Sequence, residues 1–137
     1  MAFIQSIIKN PTRSLSMQNK STAQVTAMKE VLDLTAGLAV PATSASTVAT
    51  IIGVSNQAIS VADALTQVPV IDLFQQDVWV VDSTNNSNPL HNGQAMILTD
   101  STHVNNTGIT SAVGVVEQVG VYGVPADKKI LVRFITF

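Results

Sequence analysis

Apolar residues along this chain fall into short runs separated by clusters of Ser, Thr, Asn and Gly. The runs are rich in Val and Ile and too short for helices, a pattern typical of β-strands. Two of them, residues 51–57 and 112–118, each place a glycine in an apolar run and a glutamine four residues after it. Because glycine has no side chain, a neighbouring strand can approach closely there. We predict two strands at the centre of a closed or nearly closed sheet.

The same pattern predicts further strands in the second half of the chain. In the final one, Ile130, Val132 and Phe134 fall on one face, while Leu131 and Arg133 fall on the other. Apolar side chains on both faces predict burial on both sides. The predicted strands are residues 47–55, 68–74, 78–81, 94–98, 109–121 and 129–137.

Residues 21–37 allow two interpretations. Apolar residues at helical spacing, a capping serine and a terminal glycine fit a helix (Val25, Met28, Leu32, Ser21, Gly37). The alternative is a strand at residues 31–35, a turn at Gly37 and a second strand at residues 38–41. We slightly favour the two strands because the rest of the chain is β-like.

Composition supports an all-β fold, a compact antiparallel β-barrel or sandwich body with an extended N-terminal arm. The chain has 137 residues, 46% of them hydrophobic, enough for one domain with a core. Charged residues make up 12%, about half of the usual share. There is no cysteine, hence neither a disulfide nor a thiolate metal site. The apolar runs are too short to cross a bilayer, and the first residues lack the basic start of a secretory signal.

Charge divides the chain into three parts. Four cations precede the first acidic residue, Glu30, and all nine acidic residues lie between Glu30 and Asp127 with no Lys or Arg among them. Three further cations follow. Such asymmetry points to a charged partner for the basic leader. We therefore predict two parts, an extended arm at residues 1–21, ordered by lying on a partner, and a β-rich domain at residues 22–137.

The sequence offers little for catalysis or cofactors. The two histidines, His91 and His103, lie in polar, turn-like stretches without a nucleophile motif, which predicts loop histidines. Residues 82–93 alternate oxygen donors as calcium loops do, but Ser87 and Gly93 replace the required glycine and glutamate, so a turn is favoured. Sparse cations and aromatics disfavour nucleic acid. We predict no enzyme, no cofactor, no metal, no small-molecule substrate and no membrane partner.

Four segments together resemble the small head decoration, or cement, proteins of tailed bacteriophages. These are Gly-Leu-Ala-Val-Pro-Ala-Thr at residues 37–43, Ile-Ile-Gly-Val at 51–54, Gly-Gln-Ala-Met-Ile-Leu-Thr-Asp at 93–100 and Lys-Ile-Leu-Val-Arg-Phe at 129–134. The likeness spans residues 30–137. It implies a β-rich body, often trimeric, on the outside of the virion capsid, made in the host cytoplasm and bound to the major capsid protein.

On this resemblance the arm is expected to bind the capsid and the body to form a homotrimer. The expected apolar anchors of the arm are Phe3, Ile4, Ile7 and Ile8, and the cations expected to face capsid carboxylates are Lys9, Arg13 and Lys20. The residues expected between subunits are Trp79, Phe134 and Phe137. The alternative is a tail or head–tail subunit that binds a receptor or glycan through the Asn- and Ser-rich loop at residues 85–92.

Overall fold

Strands make up most of the regular structure, so the predicted all-β fold is confirmed. The computed structural model describes residues 3–7, 15–73, 77–107 and 114–135. Helical structure in these ranges is limited to short 3₁₀ segments at Val61–Asp63, Pro89–His91 and Pro125–Asp127. The strands are β1 (Ile4–Ile7), β2 (Leu15–Asn19), β3 (Val31–Thr35), β4 (Leu38–Pro41), β5 (Ile51–Ser55), β6 (Gln67–Ile71), β7 (Val78–Ser83), β8 (Ala95–Met96), β9 (Leu98–Asp100), β10 (His103–Val104), β11 (Val116–Val121) and β12 (Lys129–Phe134).

The larger sheet curls back on itself. Its order is β8-β11-β12-β7-β10-β9, with β1 also paired to β7. Strands β8 and β9 stand at opposite ends of this order, yet they are neighbouring parts of one segment, residues 95–100. The two ends of the sheet therefore meet, and the sheet forms a nearly closed barrel. Its pairs are antiparallel except for β10 with β7, which run parallel.

The smaller sheet is antiparallel and has the order β2-β6-β5-β3-β4. It includes the strand pair that we favoured for residues 31–41: β3 and β4 form a hairpin around Gly37, which has a φ of +78°. Its edge strands β2 and β4 come within 8 Å of each other between Cα atoms. This sheet is therefore also strongly curved.

One hydrophobic core joins the two sheets. At its centre the rings of Phe3, Trp79 and Phe134 pack together, with centroid distances of 5.6 Å, 6.2 Å and 6.5 Å. Val31 and Val54 of the smaller sheet belong to the same cluster and are fully buried. A second, smaller cluster lies on the opposite face of the smaller sheet, formed by Leu32, Ala39, Ile59, Val68 and Val70.

Both glycines singled out in the sequence lie at a close approach of strands, as predicted. A Cβ on Gly53 would be 2.4 Å from Val70 Cγ1 in β6, and a Cβ on Gly114 would be 2.6 Å from Ala95 Cβ in β8. The two glycines do not share one sheet, however. Gly53 belongs to the smaller sheet and Gly114 precedes β11 of the barrel.

A buried carboxylate connects the two sheets. Glu30 precedes β3, and its Oε1 accepts a hydrogen bond from the Ala27 backbone at 2.9 Å. Its Oε2 accepts one from the Ser101 hydroxyl, in the β9–β10 turn of the barrel, at 2.8 Å. The backbone adds a second link between the sheets, because Val31 N donates to Ser101 O. Both side-chain oxygens of Glu30 are thus hydrogen-bonded, as burial of a polar group requires.

Some predicted strand bounds need correction. The strand predicted at residues 47–55 begins only at Ile51, because Thr50 N donates to Thr47 O in a turn. The strand predicted at residues 94–98 is interrupted at Ile97, where the segment changes partner from β11 to β10. Residues 109–113 of the strand predicted at 109–121, together with 74–76, 136 and 137, lie outside the described residues.

The prediction of a separate N-terminal arm was wrong for the residues that the structure describes. Strand β1 pairs with β7 of the barrel, and β2 pairs along its whole length with β6 of the smaller sheet. Both parts of the segment thus belong to the folded body. The physical reason is that β1 and β2 supply hydrogen bonds to strand edges of the same chain, and Phe3 completes its aromatic core.

Candidate partner-binding surface

Strand β2 presents its apolar side chains to solvent. Leu15 and Met17 are 53% and 57% exposed, although both belong to a regular strand at the edge of the smaller sheet. They lie on one face because side chains alternate along a strand. We refer to Leu15 and Met17 as the β2 surface.

Two polar residues of β2, Ser16 and Gln18, point the other way, whereas Asn19 shares the exposed face of Leu15 and Met17. Ser16 and Gln18 stand opposite Val70 and Val68, which belong to the smaller core. The Ser16 hydroxyl donates to Asp72 Oδ1 at 2.6 Å. The strand is therefore inverted relative to ordinary amphipathic strands, whose apolar side chains face the core.

Strand β2 also has no charged residue from Leu15 to Asn19. Edge strands of soluble proteins are commonly protected by charges, proline or bulges. An uncharged edge strand with outward apolar side chains is instead typical of a contact surface. The sequence shows this alternation at residues 15–19, but alternation alone does not reveal which face points inward.

Two of the predicted capsid anchors prove to be internal. Phe3 is fully buried against Trp79 and Phe134, so it cannot also bind a partner in this fold. Lys20 is 3% exposed, and its Nζ donates to the backbone oxygens of Ser21 and Leu65 at 2.8 Å and 3.2 Å. Both assignments as surface contacts were wrong. Ile8, Lys9 and Arg13 lie outside the described residues, as do the side chains of Ile4 and Ile7.

The aromatic residues predicted between subunits fill the core of a single chain. Trp79 and Phe134 are 1% and 0% exposed. Their assignment to a subunit contact was wrong, because both rings are already enclosed by the barrel and by Phe3. Phe137 lies outside the described residues.

A second group of exposed apolar side chains lies at one end of the barrel. Leu90 is 83% exposed, and Tyr122 and Val124 are also exposed. Their loops touch, since Ser87 N donates to Pro125 O at 3.1 Å. We refer to Leu90, Tyr122 and Val124 as the barrel-end surface.

The two histidines occupy different surroundings. His103 lies on β10, partly exposed, with Nδ1 3.0 Å from Asp100 Oδ1. His91 ends the 3₁₀ segment Pro89–His91, and its buried Nδ1 has no hydrogen-bond partner in the described ranges. The Thr102 hydroxyl lies 2.9 Å from His103 Nδ1, the same ring nitrogen that contacts Asp100 Oδ1.

Asp100 organises the β9–β10 turn. Burial of its carboxyl group works to raise its pKa, but hydrogen bonds from the Thr102 backbone and from the His103 and Thr102 side chains outweigh burial. The pKa of Asp100 is therefore lowered from its ordinary value. In this turn Thr102 N donates to Asp100 Oδ1 at 2.8 Å.

The oxygen donors of residues 82–93 serve the fold. Asp82 Oδ1 accepts from Lys129 Nζ at 2.6 Å, and Asn88 Oδ1 caps Leu90 N at 2.9 Å. Across the described ranges, no three His, Asp or Glu side chains are grouped as metal ligands. In the same ranges, no helix has the length and apolar character needed to span a membrane.

Comparisons with protein-family models, with curated proteins and with solved structures found no match.

Proposed function

We propose that the protein is a structural component of a tailed-bacteriophage virion that binds the outside of the head and stabilises contacts between major capsid subunits. The observation that supports this decoration role best is the β2 surface. Large apolar side chains on an uncharged edge strand favour adhesion to another protein. Binding then comes from Leu15 and Met17 rather than from the buried Phe3 and Lys20.

The size of the β2 surface favours a multivalent partner. Fully burying a Leu or Met side chain contributes about 1.5–3 kcal/mol, and roughly half of that remains available at these two positions. One copy would thus bind weakly. A homotrimer, as the resemblance implies, would present three linked surfaces and gain from their high effective concentration.

The segments that resemble decoration proteins lie mainly in the body of the fold. Residues 51–54 belong to β5, residues 93–100 include β8 and β9, and residues 129–134 form β12. The β2 surface lies outside these segments. On the proposal, the body is shared with such proteins, whereas the capsid contact is particular to this chain.

The test is co-sedimentation of the purified protein with empty phage heads over a series of salt concentrations. We expect binding to change little with salt, because apolar contacts are not screened. The double variant Leu15→Ser/Met17→Ser should lose binding while remaining folded. The matched control is Leu90→Ser/Val124→Ser, which removes apolar side chains at the barrel end that are even more exposed than Leu15 and Met17.

Two results would contradict the proposal. Wild-type protein that stays in the supernatant at every salt concentration would refute head binding. Equal loss of binding in the two double variants would refute the β2 surface as the contact. Sedimentation equilibrium of the free protein tests the trimer separately.

A tail or head–tail subunit that binds a glycan is the second candidate, and one observation favours it. The loop at residues 85–92 has no aromatic residue of its own, but its contact with Pro125 brings it beside the turn that carries the half-exposed Tyr122. An exposed aromatic ring can stack against the face of a sugar. Binding on a glycan array that disappears in Tyr122→Ala would support this role over head decoration.

A further inference from the structure

The barrel-end loop contains the one Asn–Gly pair of the sequence, Asn92–Gly93. In such a pair the backbone nitrogen of the glycine can attack the side-chain carbonyl carbon of the asparagine, since glycine has no side chain to hinder it. A nitrogen–carbon bond forms, the glycine nitrogen loses its proton to solvent, and ammonia leaves. Water then opens the cyclic imide to aspartate or isoaspartate.

Gln118 of β11 contacts both reacting groups. Gly93 N, the attacking atom, donates to the backbone oxygen of Gln118 at 2.7 Å. The side-chain Nε2 of Gln118 donates to Asn92 Oδ1 at 2.9 Å, on the amide that would be attacked. One residue thus holds the nucleophile and the electrophile at the same time.

The backbone conformation of Asn92 also disfavours the reaction. Its ψ is 135°, an extended conformation. Ring closure requires rotation about the Asn92 Cα–C bond to a ψ at which the Gly93 nitrogen lies on the same side as Cβ. At the observed ψ, the nitrogen is rotated well away from Cβ. To react, the segment must rotate and break both contacts with Gln118.

The environment of Gln118 favours a holding role over simple packing. Its side chain is fully buried, and Nε2 also donates to the backbone oxygen of Asn88 at 2.8 Å. A backbone oxygen only accepts, so the amide orientation is fixed. Its Oε1 has no partner within the described residues, which is costly for a buried atom. An apolar side chain would avoid that cost but would lose the contacts with Asn88 and Asn92.

We propose that Asn92 is a site of spontaneous deamidation that Gln118 keeps unreactive in the folded protein. Reaction introduces a carboxylate at the barrel end, and the isoaspartate product lengthens the backbone between Asn92 and Gly93. The hydrogen bond from Gly93 to Gln118 then loses its register. The change takes place next to Leu90, on the barrel-end surface, and is independent of the proposed capsid contact at β2.

The experiment is incubation of the full chain at mildly alkaline pH, followed by peptide mapping with mass spectrometry for Asp and isoAsp at residue 92. Folded wild type is compared with wild type unfolded in urea, and with Gln118→Met. Gln94→Met is the matched control, because it makes the same change next to Gly93, at a side chain whose Oε1 has no partner in the described ranges.

We expect folded wild type to deamidate at Asn92 much more slowly than the unfolded chain. Gln118→Met should react about threefold to tenfold faster than Gln94→Met, as loss of one ordinary hydrogen bond implies. Equal rates in folded and unfolded wild type overturn the proposal, and so does a folded Gln118→Met that reacts no faster than Gln94→Met. Should Gln118→Met not fold by near-ultraviolet circular dichroism, the comparison of folded with unfolded wild type decides the outcome.

Discussion

At the scale of single residues, the fold depends on positions where a side chain must be absent or must carry a charge. Gly53 is the clearest case. A Cβ there would lie 2.4 Å from Val70 Cγ1 and 2.5 Å from the backbone oxygen of Ile71. The valine could turn aside, but the backbone oxygen belongs to β6 and cannot move without disturbing the sheet.

Gly53→Ala should therefore lower the free energy of unfolding by about 1–3 kcal/mol, as overpacking of a core does. Gly37→Ala is the control, since a Cβ there meets no atom within 4 Å and only the positive φ opposes it. Urea unfolding of both variants measures the difference. A loss for Gly53→Ala no larger than that for Gly37→Ala would contradict the close approach of β5 and β6.

The contribution of Asp100 to the stability of the fold depends on pH. An aspartate has a pKa of about 3.9 in an unfolded chain, and the pKa of Asp100 is lowered in the folded protein. A lowered folded pKa stabilises the fold above the unfolded value, and this contribution is lost as the pH falls through the folded value.

Asp100→Asn should accordingly be less stable than wild type near neutral pH, and the difference should shrink as the pH falls below about 3.9. Urea unfolding across that pH range measures both proteins. A stability difference that stays constant with pH would show that the carboxylate charge of Asp100 does not contribute.

At the scale of elements, β1 is the clearest case of a strand whose place in the fold was not predicted from the sequence. The strand is short, and its segment resembles a polar leader in the sequence. What places it in the fold is Phe3, whose ring completes an aromatic group with Trp79 and Phe134 from distant strands. That contact has no local signature. By contrast, the β3–β4 hairpin follows from local alternation and a turn glycine. For β12 the prediction of burial on both faces was only half right, because Ile130, Val132 and Phe134 are buried but Leu131 is half-buried and Arg133 is exposed.

Phe3→Ala should lower the free energy of unfolding by about 3–5 kcal/mol, the usual cost of removing a buried aromatic ring. Tyr122→Ala is the control, since that ring is half exposed and should cost less than about 0.5 kcal/mol. Denaturant unfolding monitored by circular dichroism compares the two. Equal effects would restore residues 1–21 as a detachable arm, whereas the fold leads us to expect that deleting residues 1–20 prevents folding.

Strand β2 marks a second limit of sequence-based prediction. Residues 15–19 were assigned to the extended arm and not to a strand. The alternation of Leu15, Ser16, Met17 and Gln18 is short, and it fits either face turned to the core. The pairing with β6 settles the direction, because Val68 and Val70 face the smaller core. The basic leader likewise suggested a charged contact. Lys20 is instead buried, and its Nζ donates to the backbone oxygen of Leu65, a residue distant in the sequence.

At the scale of the whole molecule, the barrel and the smaller sheet share one hydrophobic core. The main core contains Trp79 and Phe134 of the barrel together with Val31 and Val54 of the smaller sheet. Glu30 and Ser101 add a buried polar link between them. Neither sheet can lose its packing without exposing the apolar surface of the other.

We therefore expect a single unfolding transition. Trp79 fluorescence reports on the barrel core and far-ultraviolet circular dichroism on all strands, so the two urea curves should coincide. Glu30→Gln keeps the shape of the side chain but replaces one of its two acceptor oxygens with an NH2 group. Because both oxygens accept hydrogen bonds, the variant should lower the midpoint of both curves together. Two separated transitions in wild type would contradict a shared core.

The position of β12 has a consequence for synthesis. This strand, Lys129–Phe134, lies between β11 and β7 in the middle of the barrel, yet it follows both of them along the chain. On the ribosome, β7 and β11 must wait with their apolar faces exposed until Lys129–Phe134 has left the exit tunnel. The long-range pairing of β12 with β7 is therefore completed late. Until then β7 and β11 are the strands that a chaperone would need to shield.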